Sequence, residues 1–162
     1  MSLGDLILHE EEYQKLRALI ERLRQDSNAR IVFLLDRNGQ PVAYIGDMDG
    51  TDPTALASLA AGNVAATEGL ARLVGEEEFS NLYHEGQRDN LHVSVVGRRM
   101  IHVVVFDEHS SLGLVRLRVR KITAELLPVL EEVERRASTE RTQFEAAFAD
   151  ITDADLDALF ND

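Results

Sequence analysis

The chain has 162 residues, 44% of them hydrophobic, with 29 acidic against 17 basic side chains and a net charge of −12. That length suits one ordinary domain with a tail, and the apolar share is enough for a core. The acidic balance repels nucleic acid and anionic membranes, so neither is expected as a partner, and the absence of cysteine excludes disulfides and thiolate chemistry.

The first residues, MSLGDLILHEEEY, lack the basic segment and long apolar run of a signal peptide. Leu6 to Leu8 is a short apolar run. Glu10, Glu11 and Glu12 then suit the first turn of a helix, where the macrodipole is positive. Tyr13, Leu16, Leu19, Ile20 and Leu23 follow a helical period, and Asp26-Ser27-Asn28 ends it. Ile31–Leu35 reads as a strand, Asn38-Gly39 as a hairpin turn and Pro41–Ile45 as the return strand. Asp52 is placed as the N-cap of a helix that begins with Pro53.

That helix, Leu56 to Gly75, is half made of tiny residues: LASLAAGNVAATEGLARLVG. Leu56, Leu59, Leu70, Leu73 and Val74 form a large apolar stripe, expected to face the core. Ala57, Ala61, Ala65 and Gly69 form a second row, expected to face outward for close packing against a partner. Gly62 and Gly69 each cost a helix about 1 kcal/mol relative to Ala, which close packing could offset.

After Gly75, Glu76–Glu78 reads as a solvated acidic loop, followed by a less regular segment to Arg88. Leu91–Val96 and Met100–Phe106 read as strands joined by Gly97-Arg98-Arg99. Ser110 or Ser111 caps a helix with apolar positions Leu112, Val115, Val119, Ile122, Leu126, Val129 and Val133, which Pro128 should kink or weaken. The chain turns polar from Ala137, giving a linker over 137–150. The last segment, 151–162, is an amphipathic tail with Thr152 and Asp155 in a weak capping box and Ile151, Leu156, Leu159 and Phe160 on its apolar face. The order gives an α+β fold: one antiparallel sheet with helices on both faces. A lone small-residue helix is expected to cover one of those faces.

No enzyme constellation is present. There is no Walker A sequence, no G-x-S-x-G and no H-E-x-x-H. His92 and His102 lie on neighbouring strands, but two ligands without a third do not make a metal site. Asp47-Met48-Asp49-Gly50 lacks the downstream Glu of a calcium loop. Arg37, Arg72, Arg98 and Arg99 are more simply surface charges than fingers for a nucleotide. No catalytic residue and no cofactor or metal ligand is therefore assigned. The tail is the alternative source of function, as a short helix offered to a basic groove.

The stretches IVFLLDRNGQ, LASLAAGNVAA, YHEG at 83–86, VVVFDEHSSLGLVRLRVRK and ITDADLDALF, in this order, resemble the Roadblock family of dynein light chains and their bacterial polarity relatives. The likeness spans nearly the whole chain and is weakest over Ala137–Ala149. It implies a Roadblock-type αββαβββα domain over 1–136, then the linker and the tail. It also implies a cytoplasmic homodimer, concentrated at a cell pole. One dimer would bind one small Ras-like GTPase of the MglA type and accelerate its hydrolysis of GTP, with GTP and magnesium carried by the GTPase. By the same resemblance no arginine is inserted; the GTPase is remodelled so that its own Arg and Gln reach position. The central helix around Ala61, Ala65, Glu68, Gly69 and Arg72 would meet the GTPase. The tail, through Ile151, Leu156, Leu159 and Phe160, would make a second contact. A non-catalytic scaffold of the same fold, binding a GTPase or motor component without changing turnover, stays open beside it.

Overall fold

A computed structural model describes residues 2–3 and 6–161. Two short strands, β1 (Ser2–Leu3) and β2 (Leu6–Ile7), pair as a small hairpin ahead of helix α1 (Glu10–Ser27). Glu12 closes the start of α1 by accepting a 2.9 Å bond from the His9 backbone N–H, and Asn28 ends it in the left-handed conformation. Strands β3 (Ile31–Asp36) and β4 (Pro41–Gly46) form the expected hairpin. Its turn is organised by buried Asp36, whose carboxylate accepts from the Asn38 and Gln40 amides at 2.9 and 3.0 Å. Gly39 completes that turn at φ +85°; a Cβ there would stand 3.0 Å from the Ser58 backbone. The hairpin can therefore lie directly on the next helix only with glycine at this position.

That helix is α2 (Pro53–Val74), capped by Asp52 as the sequence predicts. It is followed by β5 (Asn81–Glu85), β6 (Asn90–Val96) and β7 (Met100–Phe106). The five strands β3–β7 make one antiparallel sheet in the order β4-β3-β7-β6-β5. β5 lies in the segment that reads as irregular in sequence: its residues carry little burial and pair only with β6, so no alternating apolar pattern marks it.

Alternate residues along each strand send their side chains to two cores. On one face Val32, Leu34, Val104 and Phe106 pack under α1 and the long helix α3 (Leu112–Ala149). On the other, Ile31, Phe33, Leu35, Val93, Val103 and Val105 pack under α2 alone. This is the architecture expected from the chain order, one antiparallel sheet with helices on both faces.

Two expectations change at α3. Ser111 is its cap, and the helix runs through Pro128 without a break to Ala149. Buried Leu126, Leu130 and Val133, on either side of the proline, hold both halves on the core. Ion pairs reinforce the contact with α1, among them Arg136–Glu12 at 2.7 Å and Arg22–Glu125. The stretch 137–149 is therefore the end of α3 and not an irregular linker. A short helix, α4 (Asp153–Phe160), follows it, with the Thr152–Asp155 capping box formed. No helix of the described residues is long and apolar enough to cross a membrane.

Candidate interaction site

The single helix over its sheet face is oriented opposite to expectation. Ala57, Ala60, Ala61, Val64 and Ala71 are its buried residues. Leu59, Leu70 and Leu73, read as core, are 75%, 58% and 84% exposed. The reason lies in the sheet. Phe33, Val103 and Val105 already fill that face, so the helix sits down on it through its small side and turns its bulk outward. Ala57 and Ala61 thereby leave the expected partner-facing row. Ala61 is buried on the sheet and is corrected from a contact residue to a core residue.

Two hydrogen bonds fix the flanks of α2. Glu68 binds the Arg37 guanidinium on the β3–β4 hairpin. Asn63 binds the His84 imidazole on β5 at 3.1 Å. At about 100° per residue, Ala65, Gly69 and Arg72 fall on the hairpin flank with Glu68. Ala65 and Arg72 are exposed and Gly69 is half-buried. The outermost ridge is Leu59, Gly62, Ala66, Leu70 and Leu73: large residues at both ends and small ones in the middle. Beside it, between α2 and β5–β6, runs a mostly apolar groove of about 520 Å³ floored by Leu91 and Val93 and walled by Leu56, Leu59 and His84. β5, at the rim of this groove, is an edge of the sheet with one side of its backbone unpaired. The four expected residues Ala65, Glu68, Gly69 and Arg72 are thus brought together. The leucine ridge, the groove and the β5 edge are features that sequence reasoning missed as surface. Their signal was present as the Leu59–Leu70–Leu73 spacing, but nothing in the sequence says which side of α2 the sheet will take.

The tail residues Ile151, Leu156, Leu159 and Phe160 are exposed, the last at 84%. Every described residue from 138 to 161 is exposed, so the tail and the α2 surface are separate elements. Phe144 and Phe148 pack against each other with tilted rings on the exposed end of α3, centroids 4.6 Å apart and planes at 44°. Of the arginines weighed as fingers, Arg37 is tied to Glu68 and Arg99 to Glu134 at 3.1 Å. His92 and His102 are both fully buried on the α3 side of the sheet. Burial pushes the imidazole of His92 down to about 4 and that of His102 to about 3, leaving both neutral. Among the described residues no group of three or more His, Cys, Asp or Glu side chains is placed to hold a metal ion.

With this architecture, residues 15–106 match the Roadblock/LC7 domain, and the chain belongs to that family. Within it the chain is similar to MglB of Myxococcus xanthus, with 50% identity over 79% of this chain and 96% of that one, at a TM-score of 0.74. It is also similar to the gliding protein MglB of Thermus thermophilus, at 33% identity over 80% and 98% of the two chains and a TM-score of 0.72. A further MglB, described in a tetrameric arrangement, shares 32% identity over 80% and 98%, at a TM-score of 0.74. No curated protein matches the chain.

Proposed function

We propose that the chain is a homodimeric activator of a small Ras-like GTPase of the MglA type, with no active site of its own. The observation that carries this reading is the leucine ridge of α2 lying beside the unpaired edge of β5, on a chain 50% identical to an MglB. Large apolar side chains and a free sheet edge left together in water mark an association surface. Two copies meeting there bring their α2 helices side by side, with Gly62 and Ala66 letting the backbones approach, and place their β5 edges within reach of each other.

One GTPase per dimer then sits on the α2 flanks around Ala65, Glu68, Gly69 and Arg72. The tail makes a second contact through Ile151, Leu156, Leu159 and Phe160 and tunes affinity or nucleotide exchange. The activator supplies no cofactor; GTP and magnesium come with the GTPase. Acceleration works by population shift. Binding energy favours the GTPase conformer whose own Arg and Gln already stabilise the charge of the transition state. The pairing of Arg37 and Arg99 with carboxylates supports a mechanism without an inserted arginine. The role belongs to cell polarity and gliding motility in the cytoplasm, at a cell pole.

Single-turnover hydrolysis by the cognate GTPase tests the reading. Saturating activator should raise the rate, and Ala65→Arg should abolish both binding and acceleration while the domain stays folded. Replacing Arg37, Arg72, Arg98 and Arg99 in turn by Ala should cost far less than the ~10³-fold or more that losing an arginine finger costs. Binding without acceleration would make the chain a scaffold and would refute the activator reading.

A further inference from the structure

The buried residues of α3 end at Val133, and every described residue from 138 to 161 is exposed. The stretch 138–149 is therefore an arm of helix with no buried side of its own, and a helix of that length is marginal alone in water. One residue at the base of the arm binds on three sides. The Arg136 guanidinium grips the Glu12 carboxylate with two nitrogens, Nε to Oε2 at 3.0 Å and Nη2 to Oε1 at 2.7 Å. Nη2 also donates to the Ile7 carbonyl at 2.6 Å, and Nη1 donates to Glu140 Oε2 at 2.9 Å. The other oxygen of Glu140 lies 3.3 Å from His9 Nε2. A single side chain thus joins β2, the start of α1 and the first turn of the arm.

This clasp differs from the other pairs between α1 and α3. Arg22–Glu125 and Lys15–Glu132 each join one side chain to one other, and those side chains are 40–61% exposed. Arg136 and Glu12 are only 21% and 13% exposed. A two-pronged arginine–carboxylate contact fixes orientation as well as distance, and partial burial shields it from salt. Glu12 is itself held in place, because its Oε1 accepts the His9 amide at 2.9 Å. The clasp therefore constrains the angle at which α3 leaves the domain. That angle is amplified along the arm: from Arg136 to Ala149 the helix runs ~20 Å, so a tilt of about 10° moves its end by ~3 Å.

We propose that Arg136 is a positioning residue: clasped to Glu12 and Ile7, it fixes the direction of the α3 arm and thereby where the tail is presented to the GTPase. Only the second half of this statement rests on the tail contact proposed above. A tail held in one direction has a higher effective concentration at its target than a tail on a swinging arm.

The chain has no cysteine, so Ala18→Cys on α1 and Ala147→Cys on the arm, both exposed, accept spin labels at two sites alone. Pulsed dipolar distance measurement on the full chain, diluted with unlabelled protein, reads the arm within one copy. A single narrow distribution is expected. Arg136→Gln should broaden it by ~3 Å or more. Glu12→Gln, which keeps an oxygen for the His9 amide, should do the same and guards against a fold defect particular to position 136. Unchanged distributions in both variants would overturn the proposal. Affinity for the GTPase tests the second half. Arg136→Gln should weaken binding by the full chain about threefold to tenfold and leave that of a chain ending at Asp150 unchanged. Equal weakening of both chains would overturn positioning of the tail, because a merely structural role acts with or without it. If removing the tail alone costs no affinity, the tail contact itself fails, and the distance distributions still decide whether the clasp sets the arm.

Discussion

Single residues set both the stability and the acid response of this domain. His92 and His102 are buried and neutral, with burial driving their imidazoles from an ordinary 6.5 to about 4 and about 3. Below pH 6.5 the unfolded chain takes up protons that the folded chain refuses until near those values. Stability therefore stays flat with respect to these groups above 6.5 and falls as the pH drops, by at most ~1.4 kcal/mol per pH unit for each histidine. His109, raised by its hydrogen bond to Asp107, pulls the other way, but it is exposed and its share is small. Urea midpoints taken from neutral pH to about pH 5 should decline, and His102→Leu should flatten the decline; equal slopes for both proteins would contradict this. Gly46 is a second point of control. It sits at φ +124°, and a Cβ would stand 2.1 Å from the Arg30 carbonyl oxygen. Gly46→Ala should lower unfolding free energy by ~2 kcal/mol or more, whereas Gly50→Ala, with open space around it, should cost less.

At the scale of elements, α2 and α3 carry the distinctive physics. α2 places its alanines on the sheet and its leucines in water. The ridge is therefore open to substitution without loss of the fold. Leu73→Glu should leave the far-ultraviolet spectrum intact while shifting the mass seen by light scattering from dimer toward monomer; an unchanged dimer would move the interface elsewhere. α3 keeps a proline in its interior because the core holds both halves. Pro128 itself is exposed. Pro128→Ala makes a helix amide available for a hydrogen bond and should raise stability by about 1–3 kcal/mol in denaturant titrations; an unchanged or lowered midpoint would contradict this. How much was legible differs between the two helices. The caps Asp52 and Thr152 and the hairpin turn at Asn38-Gly39 were readable because their hydrogen bonds are local in sequence. The facing of α2 was not, because a helix with two apolar stripes is ambiguous until the bulk of the opposing sheet is known. β5 was readable only as the third strand of the αββαβββα order that the family likeness implies, and not from its own residues, because its burial is low and its pairing is decided entirely by β6.

For the whole molecule, the described chain divides into a packed domain and an exposed arm. Buried residues end at Val133, and everything described beyond 137 is exposed. Removal of residues 151–162 should therefore leave the melting temperature of the domain within about 1 °C, since no buried area is lost. Retained stability with weakened GTPase binding would assign the tail to recognition; complete loss of binding would move the main contact from α2 to the tail. The two faces of the sheet are covered differently: one lies under α1 and α3, the other under α2 alone, whose outer side leaves Leu59, Leu70 and Leu73 in water.

The sequence by itself determined the β3–β4 and β6–β7 hairpins and the helix caps, because these follow from local hydrogen bonding and the period of apolar residues, and its motifs carried the Roadblock likeness as a resemblance. It also placed Ala65, Glu68, Gly69 and Arg72 on one helix face, since 3.6 residues per turn is fixed by backbone geometry. Only the tertiary structure decided which side of α2 is buried and that β5 is a free edge. Those facts depend on contacts between residues far apart in the chain. Packing volume and strand register settle them, and neither is written in any single segment.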